Sequence, residues 1–157
     1  MAALTLDDID LAILALLQHD GRMSNVELAR KVGLTAPPCL RRVRALEENG
    51  IIRSYHAAIN GAALGYTITV FAMVSLKSQA ESDLKAFEDH VAPLPEVREC
   101  HMLNGEIDFI LKVVARDLQS FQQFLTSHLT SAPNVASVKT SLTIRTSKNE
   151  AGFPIDA

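Results

Sequence analysis

The chain has 157 residues, 48% of them hydrophobic, a formal net charge of −3 at pH 7, two cysteines and no tryptophan. That length supplies a core for one large or two small domains, the mild acidity gives no nucleic-acid signature at the level of the whole chain, and the separated Cys39 and Cys100 argue for reduced, buried thiols rather than a disulfide framework. The start of the chain lacks the positive segment of a secretory leader, and its longest apolar stretch, residues 68–76, is far short of the roughly 18 residues of a membrane helix, so a cytoplasmic protein with no membrane partner is expected.

Residues 7–18 carry Ile9, Ile13, Leu16 and Leu17 at helical spacing behind Thr5 and a group of acids, which predicts a first helix. Ser24 followed by Glu27 has the pattern of a capping box, and Gly33 ends the helix it starts. Thr35 is the next side chain able to cap, and Pro37 and Pro38 fall in the first turn of a helix beginning near Ala36, where missing backbone donors cost little. Leu40, Val43 and Leu46 form its apolar stripe; Arg41, Arg44, Ala45 and Glu48 lie outward, Arg42 at the margin, and Gly50 is the stop. Two capped helices joined by a tight turn make a helix-turn-helix over residues 24–46.

Charge is local. Seven basic residues between Arg22 and Arg53 stand against three acids, Glu27, Glu47 and Glu48, giving this stretch +4, whereas residues 1–21 are −4 and residues 54–157 are −3. A basic patch on a helix-turn-helix is the pattern expected for phosphate contact; a solvated basic face on a helical hairpin is the alternative. Residues 51–60 are β-prone and predict a strand or short wing, so residues 1–60 read as a winged helix-turn-helix domain.

A linker is expected over 61–65. Beyond it, residues 66–77 alternate as a strand, 81–91 form an amphipathic helix with Leu84, Phe87 and Val91 inward, and residues 97–103 and 107–114 are strands flanking Asn104-Gly105, a dipeptide suited to a tight reversal. Residues 117–129 predict a helix with Leu118, Phe121, Leu125 and Leu129 inward, and 135–146 a last strand, ahead of a tail over 149–157. The order β-α-β-β-α-β is the ferredoxin-like split arrangement, making the chain an α+β protein. Both helices cover one sheet face, and a second copy is the simplest cover for the other.

No nucleophile elbow, phosphate loop or paired catalytic carboxylates is present, and no enzyme activity is expected. Cys100 and His101 are adjacent on a strand and point to opposite faces, so they do not chelate one metal. No metal and no cofactor is expected. Cys39 is read as a packing residue.

The motifs Leu6-Asp7-Asp8-Ile9-Asp10, Gly21-Arg22-Met23-Ser24, Val32-Gly33-Leu34-Thr35 and the run from Arg44 to Ile52, with Glu99-Cys100-His101 and residues 105–108, resemble the Lrp/AsnC, or feast/famine, transcriptional regulators over about residues 5–148. The resemblance implies a winged-helix domain joined to an ACT-like (RAM) ligand-binding domain, dimers formed through the sheets and commonly assembled into octamers, and an amino-acid effector bound between dimers. It places the effector at Asn104, Gly105, Glu106 and Asp108, with Met102 before them and Ser141, Leu142 and Thr143 as the opposing wall. From the residues themselves, Asn104-Gly105 exposes backbone donors for a carboxylate and Asp108 is able to receive an ammonium; a plain hairpin turn and a local backbone acceptor are the competing readings.

On double-stranded DNA, each dimer would set two recognition helices in successive major grooves, with Arg41 and Arg44 reaching base edges or nearby phosphates. Ala36 and Pro37 would lie close to the DNA, with Arg22, Arg30 and Arg53 toward the backbone, and Ser24, Thr35 and Arg42 complete the DNA-binding set. The expected function is a sequence-specific, nucleoid-associated transcriptional regulator whose assembly or DNA affinity responds to a small effector; a ligand-independent DNA-organising protein is the alternative.

Overall fold

The computed structural model describes residues 5–156. It divides into two compact units, one formed by the chain up to Ala58 together with the stretch from Lys148 onward, the other by Ile59–Ser147. The tail thus belongs with the helical unit. Residues 1–4, part of the segment read for a leader, lie outside the described residues. Among the described residues no helix is long and apolar enough to cross a membrane.

The helical unit holds α1 (Asp8–His19), α2 (Asn25–Lys31) and α3 (Ala36–Glu48). Asp7 caps α1 in a reciprocal box: its carboxylate accepts from the backbone N–H of Asp10, whose own carboxylate accepts from that of Asp7. At α2 only half of the expected box forms. Ser24 Oγ accepts from Glu27 N, while the Glu27 carboxylate turns along the helix to Lys31. The expected Thr35 cap is absent for a chemical reason: a capping side chain accepts from the second or third helical N–H, and those positions are Pro37 and Pro38, which have none. Helices α2 and α3 both end in a left-handed glycine, Gly33 (φ 71°) and Gly50 (φ 70°). In each case the next residue's N–H returns to a carbonyl in the last turn, Leu34 to Ala29 and Ile51 to Leu46.

Ile13, Leu28, Ala29, Cys39 and Leu46 make the core of this unit. The stripe on α3 differs from expectation at its first position alone: Cys39 is fully buried and Leu40 is exposed, with Val43 and Leu46 inward as expected. Cys39, Val43 and Leu46 follow the i, i+4, i+7 rule better than a strict spacing of three, which drifts around the helix. Residues 51–60 join no ladder and so form no strand; the segment is held where the Tyr55 hydroxyl donates to Glu47 Oε1 at 2.9 Å. The tail is tied to α1 by Gln18, whose side-chain amide donates to the Phe153 carbonyl at 2.8 Å and accepts from the Phe153 N–H at 2.9 Å.

The second unit opens with a 3-10 turn, Ala62–Leu64, within the stretch read as a linker. It continues as β1 (Ile68–Leu76), α4 (Glu81–Val91), β2 (Val97–Met102), β3 (Phe109–Ala115), α5 (Leu118–Phe124) and β4 (Val135–Leu142), in the predicted order. One π-helical turn, Leu125–Leu129, prolongs α5. All strand pairs are antiparallel and the sheet order is β2-β3-β1-β4, the split arrangement. Val70, Ala72, Val74 and Leu76 on β1 and Phe109, Leu111, Val113 and Ala115 on β3 face the helices, packing against Phe87, Val91, Phe121, Phe124 and Leu129. Leu118, expected inward, is exposed, and Phe124 takes its place. Asp117 explains the shift: it caps α5 through Ser120 and sets Leu118 as the first helical residue, pointing away from the sheet. Strand β4 ends four residues earlier than expected.

The opposite sheet face carries Phe71 and Met73 of β1 beside Ile110, Lys112 and Val114 of β3, by the two-residue alternation and the register Phe71 to Lys112 and Met73 to Ile110. Lys112 Nζ donates to Glu99 Oε1 at 2.8 Å across that face, and Phe71 remains 37% exposed.

Candidate DNA-binding face and ligand pocket

The starts of α2 and α3 are brought together by Asn25, whose side-chain amide donates to the Ala36 carbonyl at 2.8 Å. This gathers Ser24, Thr35, Ala36 and Pro37 at one end of the unit. Nothing in the local sequence pattern singled Asn25 out, since its partner is eleven residues away. Asp20 shapes the preceding turn by accepting from the backbone N–H of Arg22 at 2.9 Å. Arg22, Arg30, Arg41, Arg44 and Arg53 are exposed, and none of them is paired with a carboxylate among the described residues. Five free guanidinium groups on one helical unit form an electrostatic surface suited to a polyanion.

Arg42 stands apart from these five. Its Nη1 lies 2.8 Å from Asp7 Oδ2 and 2.8 Å from Asp10 Oδ1, half buried between α3 and the start of α1. The Asp7 carboxyl is held below the ordinary carboxylate range, first by the backbone N–H of Asp10 and then by Arg42.

In the second unit, the hairpin between β2 and β3 is not the expected two-residue reversal. Its loop runs over 103–108, closed by the Leu103 N–H donating to the Asp108 carbonyl at 2.8 Å, and neither Asn104 nor Gly105 adopts positive φ. The wider loop leaves a cavity of about 260 Å³ lined by Gln79, Leu84, Met102, Leu103, Asn104, Gly105 and Asp108. Four of the expected effector residues, Met102, Asn104, Gly105 and Asp108, thus share one pocket. Glu106 is exposed and does not line it. Gln79 and Leu84 are additions that sequence reasoning missed, because they come to the pocket from the β1–α4 connection and from α4.

Asp108 is buried, and both of its oxygens are engaged within the fold: Oδ2 accepts from Leu76 N at 2.7 Å and Oδ1 from Gln79 Nε2 at 2.7 Å. Asp108 therefore acts as an acceptor within the fold, but for partners about thirty residues away and not for a backbone group of its own turn. Ser141, Leu142 and Thr143 do not form an opposing wall within the chain. Leu142 pairs with Val70 and Thr143 N donates to Thr69 O, whereas the loop joins β1 at Val74 and Leu76, four to six strand residues away, or roughly 13–20 Å. Thr143 Oγ1 is buried without a hydrogen-bond partner among the described residues.

Cys100 packs partly against the core while the neighbouring His101 is exposed beside Glu99, as strand alternation requires. Among the described residues no group of three or more His, Cys, Asp and Glu side chains is placed to hold a metal ion.

A helix pair joined by a tight turn at Gly33, its second helix bearing arginines, followed by a split β-α-β sheet domain with a loop pocket, defines a DNA-binding regulator that carries its own ligand-binding domain. Comparison with known proteins agrees: residues 6–53 match the winged helix-turn-helix DNA-binding family and residues 69–153 the Lrp/AsnC ligand binding domain. The chain belongs to the Lrp/AsnC family of transcriptional regulators. It is 55% identical over 144 residues to the leucine-responsive regulatory protein of Rhizobium meliloti, covering 92% of each chain. It is 43% identical to the Bkd operon transcriptional regulator of Pseudomonas aeruginosa, covering 89% of this chain and 92% of that one. A transcriptional regulator from Neisseria meningitidis, solved as an L-Met complex, superposes with a TM-score of 0.92 at 34% identity, covering 97% and 98% of the two chains.

Proposed function

We propose that the protein binds pseudo-palindromic DNA as a dimer, each copy placing α3 in a major groove, with half-sites separated by about one helical turn or a multiple of it. The observation that carries this reading is the set of five exposed arginines left without carboxylate partners on the helical unit. Arg41 and Arg44 reach bases or nearby phosphates. Arg22, Arg30 and Arg53 meet the backbone, and the Thr35 hydroxyl, which caps nothing, is free to donate to a phosphate beside Ser24, Ala36 and Pro37. Such a protein works in the cytoplasm, on the nucleoid.

The effector of this reading is an amino acid held at the 103–108 loop, a class supported by the L-Met bound to the Neisseria relative. Backbone donors at Asn104 and Gly105 receive its carboxylate, and Met102 and Leu84 contact its side chain. Because Ser141, Leu142 and Thr143 lie at the far end of β1, they complete the site from a neighbouring copy, and the unpartnered Thr143 Oγ1 suits that role. Dimers join through the Phe71 and Met73 sheet face, and dimers of dimers close toward an octamer. A ligand shared between copies regulates by preferring one assembly over another.

Thermal unfolding against each of the twenty amino acids tests the effector assignment. A true effector at about 100 times its dissociation constant adds roughly 2.7 kcal/mol of stability. A response confined to one chemical class supports the reading; a flat profile across all twenty overturns it.

A further inference from the structure

Arg42 sits between two of the five free arginines in sequence yet behaves unlike them. On an α-helix Arg41 and Arg44 are three residues apart and share a face, while Arg42 is turned toward the flank that meets α1. There its Nη1 enters the capping box of α1 and touches both of its carboxylates: Asp7 at 2.8 and 3.0 Å and Asp10 at 2.8 Å. The two carboxylates are themselves fixed by the reciprocal backbone bonds of the box. Asp10 is buried, and the Arg42 side chain is one-third exposed.

We infer that Arg42 is a positioning residue for DNA recognition rather than a DNA contact: it keys the α1 capping box into α3 and fixes the rotation at which Arg41 and Arg44 are presented. The inference rests on α3 being the helix offered to DNA. Two considerations carry it. The apolar contact between α1 and α3 runs through Ile13, Cys39 and Leu46, and hydrophobic packing is non-directional, so it leaves the rotation of α3 about its own axis loosely specified. A guanidinium shared by two oriented carboxylates is directional and pins that rotation. In addition, a phosphate approaching Arg42 meets two carboxylates for one guanidinium, an arrangement that repels it.

The test separates presenting from touching. A side chain that neutralises a phosphate contributes about 0.9 to the slope of log K against log salt, and one that acts only by orienting Arg41 and Arg44 moves the slope no further once those two are removed. Binding of a target duplex is titrated between about 50 and 200 mM salt, at a temperature where circular dichroism shows each variant fully folded. Arg42→Gln is expected to weaken parent binding roughly tenfold and, added to a variant carrying Arg41→Ala and Arg44→Ala, to leave that variant's slope unchanged, whereas Arg44→Ala alone flattens the parent's slope. Asp10→Asn is expected to reproduce the Arg42→Gln loss, and the double variant to be no worse than either single one, the signature of groups acting as a unit.

A further flattening when Arg42→Gln is added to Arg41→Ala and Arg44→Ala overturns the inference, as does an Asp10→Asn variant that binds as well as the parent or better, since removing the carboxylate would then have released a contact. Should Arg42→Gln fail to fold, Asp7→Asn, which alters the more exposed partner, is expected to weaken binding, and parental affinity there overturns the inference. An Arg44→Ala variant with parental affinity and slope instead identifies the reading of α3 as the fault, and the inference falls with it.

Discussion

The Asp108 carboxylate and the backbone nitrogen of Leu76 stand 2.7 Å apart inside the second unit, joining the end of the hairpin loop to the end of β1. The other oxygen takes the Gln79 amide, so one side chain closes two connections. Asp108→Ala leaves the buried Leu76 N–H without a partner and is expected to cost about 2 kcal/mol. In a unit of this size that lowers the unfolding midpoint by roughly 10 °C. Differential scanning calorimetry measures it; an unchanged midpoint would return Asp108 to the role of a ligand contact.

Arg41 is exposed on α3 and free of carboxylates among the described residues. Arg41→Ala is expected to weaken specific-site binding by about 1 to 3 kcal/mol while leaving thermal stability within roughly 0.5 kcal/mol of the parent. Fluorescence anisotropy at fixed salt reads the first quantity. Equal affinity of variant and parent would remove Arg41 from the DNA surface.

The legible parts of the chain were those written in local patterns. Gly33 and Gly50 marked two helix ends because their positive φ is a one-residue property, and the alternation of Val70, Ala72 and Val74 gave β1 its buried face. The misreadings arose where a distant or paired group decided the outcome. Thr35 looked like a cap until its would-be donors proved to be prolines, a fact present in the sequence but requiring two positions to be read together. The pairing of Arg42 was not visible because Asp7 and Asp10 lie more than thirty residues away. The loop pocket was found from Asn104, Gly105 and Asp108, but its Gln79 wall and the remote position of Ser141 to Thr143 depend on strand order and register, which no local pattern contains.

Gln18 grips the tail through both hydrogen-bonding groups of Phe153. Exposed hydrogen bonds of this kind are worth about 1 kcal/mol each, so Gln18→Ala is expected to free the tail without unfolding α1. The readout is limited proteolysis. Trypsin should cut after Lys148 several-fold faster in the variant than in the parent, with the global unfolding midpoint little changed. Equal cleavage rates would show that the tail does not depend on Gln18.

Cys39 is fully buried in the helical core, and burial pushes its thiol up from the ordinary value. Cys39→Ser places a hydroxyl in an apolar site and is expected to cost about 1 to 3 kcal/mol. In the native parent, Cys39 should resist alkylation until the protein is unfolded, because the thiolate is both scarce and inaccessible. Rapid labelling of Cys39 under native conditions, read by mass spectrometry of the tryptic peptides, would contradict its place in the core.

Tyr55 supplies a pH dependence of definite sign. Burial first, and then donation of its hydroxyl proton to Glu47, push the phenol up to about 12. In the unfolded chain a tyrosine titrates near 10, so between about pH 10 and 12 the folded state holds a proton that the unfolded state has lost. The contribution of Tyr55 to stability is therefore complete below pH 10 and disappears as the pH rises toward 12. With no tryptophan and only two tyrosines in the chain, near-ultraviolet phenolate absorbance follows the titration directly. Tyr55→Phe is expected to remove the late ionisation and to make the unfolding midpoint of the helical unit less sensitive to alkali than that of the parent. If both proteins lose stability identically through this range, the phenol is not held by Glu47 and the segment after Gly50 is anchored by its apolar contacts alone.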